Sequence, residues 1–251
     1  MAAAMRWSVR LIVFLAGAAG IAVLLGLAVV RLPEFGAREH PYRDATVAVA
    51  QRQHAPNVVS SINFDQRGFD TVGEEAILVA AVVGAATLLR LDRDESEEVS
   101  RATEKPRLLA ATKLSGYLLL PVTLLVGADV VVHGHLTPGG GFQGGVVLAT
   151  GIHLLYVAGD YPALRRMRPL PWYEFGESGG MGAVVLLGIA GVLSGAGFLA
   201  NVLPLGSTGQ LASAGTVPVF SIAVGLAVGS GMIVLLAQFF RQYLSATGES
   251  R

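Results

Sequence analysis

The chain has 251 residues, of which 53% are hydrophobic and 14% charged, with 18 basic and 18 acidic side chains and no cysteine. Average soluble domains carry roughly 25% charged residues; with a mean hydropathy of +0.59, this composition excludes an ordinary soluble domain and points to a polytopic membrane protein. The balanced charge argues against nucleic acid as a partner. The lack of cysteine removes disulfides, thiolate zinc sites, iron–sulfur ligation and cysteine nucleophiles.

A helix needs about 20 mostly apolar residues to cross a hydrocarbon core ~30 Å thick. Six stretches qualify: 8–30, 71–90, 108–132, 142–159, 180–201 and 216–240. The expected fold is therefore all-α, with six transmembrane helices and membrane lipid as the solvent of their outer faces. The first stretch is longer than the core of a signal peptide, and Arg31-Leu32-Pro33 offers no small-residue cleavage site, so it reads as a retained helix. Basic residues set the orientation. Arg6, Arg10, the cluster in 90–107, Arg165, Arg166, Arg168, Arg241 and Arg251 fall on one side. Arg31, Arg38, Arg43, Arg52 and Arg67 fall on the other, and the loops 133–141 and 202–215 carry none. Both termini are expected in the cytoplasm. The mixed-charge stretch 91–107 reads as a solvated cytoplasmic linker between a two-helix module, 1–90, and a four-helix module, 108–251.

Entering the second stretch is Asp65-Gln-Arg-Gly-Phe-Asp-Thr-Val-Gly-Glu-Glu75. Thr71 and Glu74 have the spacing of a capping box, and Asp70 and Glu74 are i,i+4 neighbours. Capping would account for them, but the segment holds more ionisable groups than a cap requires. A carboxylate here, with Arg67 and Asp70 beside it, suits a proton or a hard monovalent cation. Glu75 lies about 100° around the helix from Glu74 and is expected to face the headgroups.

The third stretch carries Lys113 and Asp129, 16 residues and so about 24 Å apart along the axis; they cannot neutralise each other on one helix. Asp129 and His133 are i,i+4 neighbours at its outer end, and His153 lies within the fourth stretch. Ionisable groups inside a span need a partner or a water-filled cavity. Lys113, Asp129, His133 and His153 are thus candidates for an ion path. The alternatives are snorkelling for Lys113 and a structural hydrogen-bonded pair for Asp129 and His133. Zinc is not expected, because His133 and His135 lack a clear third and fourth ligand.

Between these stretches runs His133-Gly-His-Leu-Thr-Pro-Gly-Gly-Gly-Phe-Gln-Gly-Gly145. Gly139, Gly141 and Gly144 satisfy G-x-G-x-x-G, but a dinucleotide site needs a short strand and a soluble sheet around it, and no Gly-Lys-Ser/Thr follows to make a P-loop. What remains is a tight re-entry between two helices. Thr137 is placed to cap, Pro138 suits a first helical position, and Gly139, Gly140, Gly141, Gly144 and Gly145 permit close backbone approach. Phe142 and Gln143 supply an aromatic face and a neutral donor and acceptor. The loop reads equally as a packing device and as part of an ion conduit. Gly191-xxx-Gly195 and Gly225-xxx-Gly229 are expected to be close-packing helix faces.

The glycine motif 133–145 closely resembles that of the B subunit of Mrp-type multisubunit cation/proton antiporters, the MnhB family, and of related small subunits of membrane-bound hydrogenases. The resemblance covers 108–240. Asn57-Val-Val, with Asp65-x-Arg-Gly-Phe-Asp-Thr-x-Gly-Glu74, resembles the two-helix module at the C-terminal end of the antiporter's large A subunit; in the hydrogenases that module is a separate small protein. The chain thus looks like a fusion of two adjacent modules. The resemblance implies an accessory, non-enzymatic component of a Na+/H+ antiporter in the cell's inner or plasma membrane. Its partners would be the other antiporter subunits, with no cofactor and with Na+ and H+ as cargo. It puts Glu74 on the cation path and gives Pro138 and Phe142 importance without a defined role. The alternatives are a membrane-arm component of a redox-driven pump, such as a hydrogenase or a complex-I-like enzyme, and a purely structural packing subunit.

Overall fold

The structure, a computed structural model, describes residues 2–32, 36, 39–89 and 109–248; the expected linker at 91–107 lies outside them. Among the described residues there are helices and turns but no strand. Met1–Asp44 and Ala45–Arg251 are two compact units, a division different from that of the two sequence modules. The first unit is dominated by helix α1, Ala2–Val30, whose Val9–Val30 segment is apolar throughout. Helix α2, Pro41–Arg52, starts in this unit and continues into the second.

In the second unit a short helix α3, Val58–Ser61, runs into a π-helical turn, Ile62–Gln66, and then into α4, Gly68–Leu88. After the linker come α5, Ala110–Val132, α6, Gly141–Val157, the short α7, Tyr161–Met167, α8, Leu170–Leu193, and α9, Val217–Gly248. Among the described residues, five helical stretches are long and apolar enough to cross a membrane. At about 1.5 Å per residue, the 17 residues of α6 rise ~26 Å, just short of the core thickness. Its length is fixed at both ends, because Gly140 enters it at φ 140° and Gly159 leaves it at φ 66°, conformations that favour glycine.

Helix α9 is the axis of the second unit, packed against α8, α6, α4 and α5. It is the most buried of the spanning helices, as expected of an apolar helix surrounded by others. Val217, Val224, Val228 and Phe220 sit in one core cluster with Phe64, Val184 and Leu199. A second cluster joins Ile233 to Ala149, Ile152, Leu155 and Leu164.

Two expectations about the fold are corrected. The fifth spanning helix lies at 170–193 rather than 180–201. Pro169 and Pro171 favour the earlier start, and the positive φ of Gly195 and Gly197 ends the helix before 201. Gly195 consequently stands outside the helix with nothing near its Cβ position, while Gly191 packs beneath the following turn, against Ala200 N at 2.9 Å. Gly191 and Gly195 therefore do not form a helix-packing face. The Gly225/Gly229 face does: Gly145 lies against Gly225 O and Gly229 N, each 2.9 Å from its Cβ position.

Candidate functional site

The glycine motif folds as a turn held by a residue from the other sequence module. Asn57 Nδ2 donates to the carbonyls of Gly134 at 2.7 Å and Thr137 at 2.8 Å. Its Oδ1 accepts from the N–H groups of Val59 and Ser60 and so caps α3. Its own N–H donates to His135 O at 3.1 Å. One side chain thus ties the segment ahead of the second stretch of the two-helix module to the loop entering α6. Asn57→Ala removes the loop anchors and the cap together, at a cost of about 1–3 kcal/mol. The expected outcome is a lower unfolding temperature of the detergent-solubilised protein, with faster amide exchange concentrated at 134–140.

The roles expected of Thr137 and Pro138 are corrected. Helix α6 begins at Gly141 with Gly140 at the cap position. Thr137 instead turns back, its Oγ1 donating to His133 O at 3.3 Å, and Pro138 lies in the turn ahead of the helix. Gly141, Gly144 and Gly145 bring α6 onto its neighbours. A Cβ at Gly141 would meet Ser221 O and lie 2.7 Å from Gly225 N, and one at Gly144 would meet the Val131 side chain and sit 2.8 Å from Gly127 O. The glycines pack; Phe142 and Gln143 face outward. His135 is fully buried in this turn, with Nε2 3.4 Å from Gln210 O. Burial lowers its pKa, His133 nearby adding to the effect against backbone hydrogen bonds that oppose it. The neutral ring is thus the favoured form.

At the head of α4 the capping-box reading is also corrected. The helix starts at Gly68, one turn before Thr71, and the Thr71 hydroxyl donates to Asn63 O at 2.7 Å. Arg67 pairs with Asp70 at 2.5 Å on an exposed edge. Asp65, in the π-helical turn, has its pKa raised by burial. Freed from a capping role, the Glu74 side chain is exposed and lines a lateral pocket of about 490 Å³ with Asn63, Phe64, Thr71, Phe142, Gln143 and Val224 among its walls. The acid of one module and the Phe-Gln pair of the other therefore share one cavity.

The remaining candidates are dispersed. Asp129 and His133 form the expected i,i+4 pair, at 2.8 Å, with Asp129 67% exposed. Lys113 is exposed. His153 is buried, its Nδ1 2.6 Å from Ala149 O and its ring against Phe240, while Nε2 has no hydrogen-bond partner.

Two carboxylates escape a reading of the sequence. Glu75 does not face the headgroups: it is 0% exposed, with neither carboxylate oxygen hydrogen-bonded, and Glu177 on α8 is 5% exposed with Oε1 unpartnered. A signal for Glu75 exists in the heptad Gly68, Glu75, Val82, which repeats almost in phase with the helix. Glu177 falls outside the span expected at 180–201.

Fold and site together define a multi-pass, all-helical membrane protein with a carboxylate-lined pocket where its two sequence modules meet. Residues 111–234 match the model of a domain related to the MnhB subunit of Na+/H+ antiporter. The chain is 32% identical over 126 residues to the B subunit of the Na(+)/H(+) antiporter of Bacillus subtilis, covering 82% of that protein and 48% of this chain. It is 34% identical over 142 residues, 48% of its length, to a probable K(+)/H(+) antiporter A/B subunit of Rhizobium meliloti, of which it spans 14%. An uncharacterised protein of Methanocaldococcus jannaschii is 30% identical over 200 residues, 70% of this chain and 74% of that one. Among solved structures, a chain of an archaeal respiratory membrane complex, the membrane-bound sulfane sulfur reductase, superposes with a TM-score of 0.69 at 26% identity, over 92% of this chain and 98% of its own. A chain of the Mrp complex from Dietzia sp. shares the fold, with a TM-score of 0.64 at 24% identity, over 91% of this chain and 26% of its own. The chain belongs to the MnhB family, the B subunits of Na+/H+ antiporters.

Proposed function

We propose that this chain is an accessory subunit of a multisubunit monovalent cation/proton antiporter, and that its pocket beside Glu74 forms part of the cation route. The observation that carries this reading is the shared cavity. Glu74 reaches it from α4, Phe142 and Gln143 reach it from the head of α6, and all three are exposed on the surface of this chain, where a neighbouring subunit would complete the wall. An exposed carboxylate beside an aromatic ring and a neutral amide offers oxygen ligands to a hard cation without trapping it. Arg67, paired with Asp70 at the head of the helix that carries Glu74, tunes the site. Asp129, His133, Lys113 and His153 are lesser stations for protons. Both termini face the cytoplasm of a cell whose plasma membrane holds the complex, and neighbouring subunits carry the principal proton pumps.

A second reading has its own support. The likeness to a respiratory-complex chain runs over 98% of that chain, so the same fused arrangement would serve equally in a redox-driven pump. Gentle-detergent affinity purification of this chain, with mass spectrometry of everything retained, separates the two. Antiporter-type subunits without iron or flavin are the expected outcome. Co-purifying iron–sulfur or nickel subunits would overturn the antiport reading in favour of redox-driven pumping.

A further inference from the structure

The buried acids Glu75 and Glu177 have no place in the Glu74 pocket, and their position around α9 gives them a role of their own. Gly68 packs on α9 at Phe220, its Cβ position 3.3 Å from that ring. Two near-complete heptads later, Val82 packs on α9 at Gly231, 3.4 Å from that glycine's Cβ position. Glu75 stands midway along the same stripe of α4 and is sealed from solvent at 0% exposure. Beside Val82, α8 brings Glu177 to the same glycine: its Oε1 is 3.2 Å and its Cδ 3.4 Å from the Gly231 Cβ position. A side chain at 231 would press on that carboxyl. The approach of α8 is itself built on small residues, since a Cβ at Gly180 would lie 2.6 Å from Ala223 O and Ala227 N. Glu177 thus meets the helix that carries Glu75 at Gly231, about two turns along α4 from Glu75.

Neither carboxyl oxygen of Glu75 nor Oε1 of Glu177 finds a hydrogen-bond donor. The charged neighbours of Glu75 include Glu74, on its own helix, and Glu177, and those of Glu177 include Glu174, all of them acids that add to the cost of an ionised pair. A buried carboxylate with neither donor nor counter-ion costs several kcal/mol in a low-dielectric interior, and two such acids near each other cannot both carry charge cheaply. We infer that Glu75 and Glu177 form an internal proton-binding site, distinct from the cation pocket at Glu74, which takes up a proton from water on one carboxyl and returns it to water. Ser230 and Gln238 on α9 and His153 on α6 are further buried polar side chains.

That role in transport rests on the antiporter reading; the protonation itself does not. The test is pH-difference infrared spectroscopy on the purified complex in lipid, comparing wild type with Glu75→Gln and Glu177→Gln. Each variant is expected to lose a carbonyl-stretch band of a protonated carboxyl that shifts in deuterium oxide, and to slow proton movement at least about tenfold, ~1.4 kcal/mol. Glu75→Asp and Glu177→Asp, which keep the acid, should shift the band and restore part of the rate. They also serve if either glutamine variant assembles poorly. Bands unchanged in both glutamine variants, meaning two ionised carboxylates, would overturn the site. If wild type shows the bands but no sodium-driven flux, the antiporter reading fails while the proton site stands. Flux that persists in variants lacking the bands would overturn the role of the site in transport while leaving the antiporter reading in place.

Discussion

Replacing Glu74 with glutamine is expected to abolish sodium-driven proton movement while leaving the chain folded and the complex assembled. The two halves of this outcome come from the same geometry. Glu74 sits on the wall of an open pocket with an exposed side chain, and the ion pair at the head of α4 is made by Arg67 with Asp70. Glutamine keeps the volume and one carbonyl oxygen but removes the negative charge, so it disturbs little packing while withdrawing the strongest oxygen ligand from a hard cation. A fall in the rate of at least about tenfold, ~1.4 kcal/mol in the barrier, is the minimum expected. The measurement is sodium-triggered proton movement in inverted vesicles or proteoliposomes, with the amount of assembled complex followed on native gels. Normal flux with normal assembly would remove Glu74 from the path and leave the pocket as a packing surface. Phe142→Ala in the same pocket separates shape from charge: it keeps the carboxylate and should weaken transport without abolishing it.

Much of this arrangement is legible in the sequence, because it depends on local rules. Apolar runs of spanning length declare helices regardless of what surrounds them, and the glycine motif announces a tight turn before any partner is visible. The i,i+4 pair of Asp129 and His133 needs only helical periodicity. Several misreadings share one cause, since each requires knowledge of what lies across from the residue; the late start given to the fifth span does not, because Pro169 and Pro171 mark it in the sequence itself. Thr71 has the spacing of a cap, but Asn63, placed by a π-helical turn, offers its carbonyl to the hydroxyl. Glu75 follows the motif acid and has the look of a headgroup-facing neighbour. Only the packing of α4 on α9 at Gly68 and Val82 turns it inward. Glu177 stays hidden because charge within a stretch lowers its apparent hydropathy, and α8 tolerates that charge only because α9 presents Gly231 there. Sequence patterns report a helix's own preferences; buried polar groups are decided by the neighbour.

The largest structural effect is expected at Gly141. Here α6 starts against α9, and a Cβ would collide with the Ser221 carbonyl oxygen and crowd Gly225 N at 2.7 Å and Val224 Cβ at 2.9 Å. Two of these three obstacles are backbone of a central helix that is itself clamped by α4 and α8, so no rotamer change relieves them. Ser221 cannot drift either, because its Oγ donates to Val131 O at 3.0 Å and so ties α9 to α5 as well. Overpacking a close interface costs about 1–3 kcal/mol even where side chains yield; with backbone in the way, Gly141→Ala should reach the top of that range and Gly141→Val should exceed it. Separating the helices would also open the glycine face shared with Gly145 and move Phe142 and Gln143 away from Glu74. Transport and assembly should therefore fail together, unlike in Glu74→Gln. Gly84→Ala and Gly182→Ala, where a Cβ meets nothing within 4 Å, are the controls and should behave as wild type in thermal unfolding of the solubilised protein. A Gly141→Val protein that unfolds at the wild-type temperature would mean that α6 and α9 are farther apart in the membrane than their glycines allow, and the shared pocket would have to be redrawn with them.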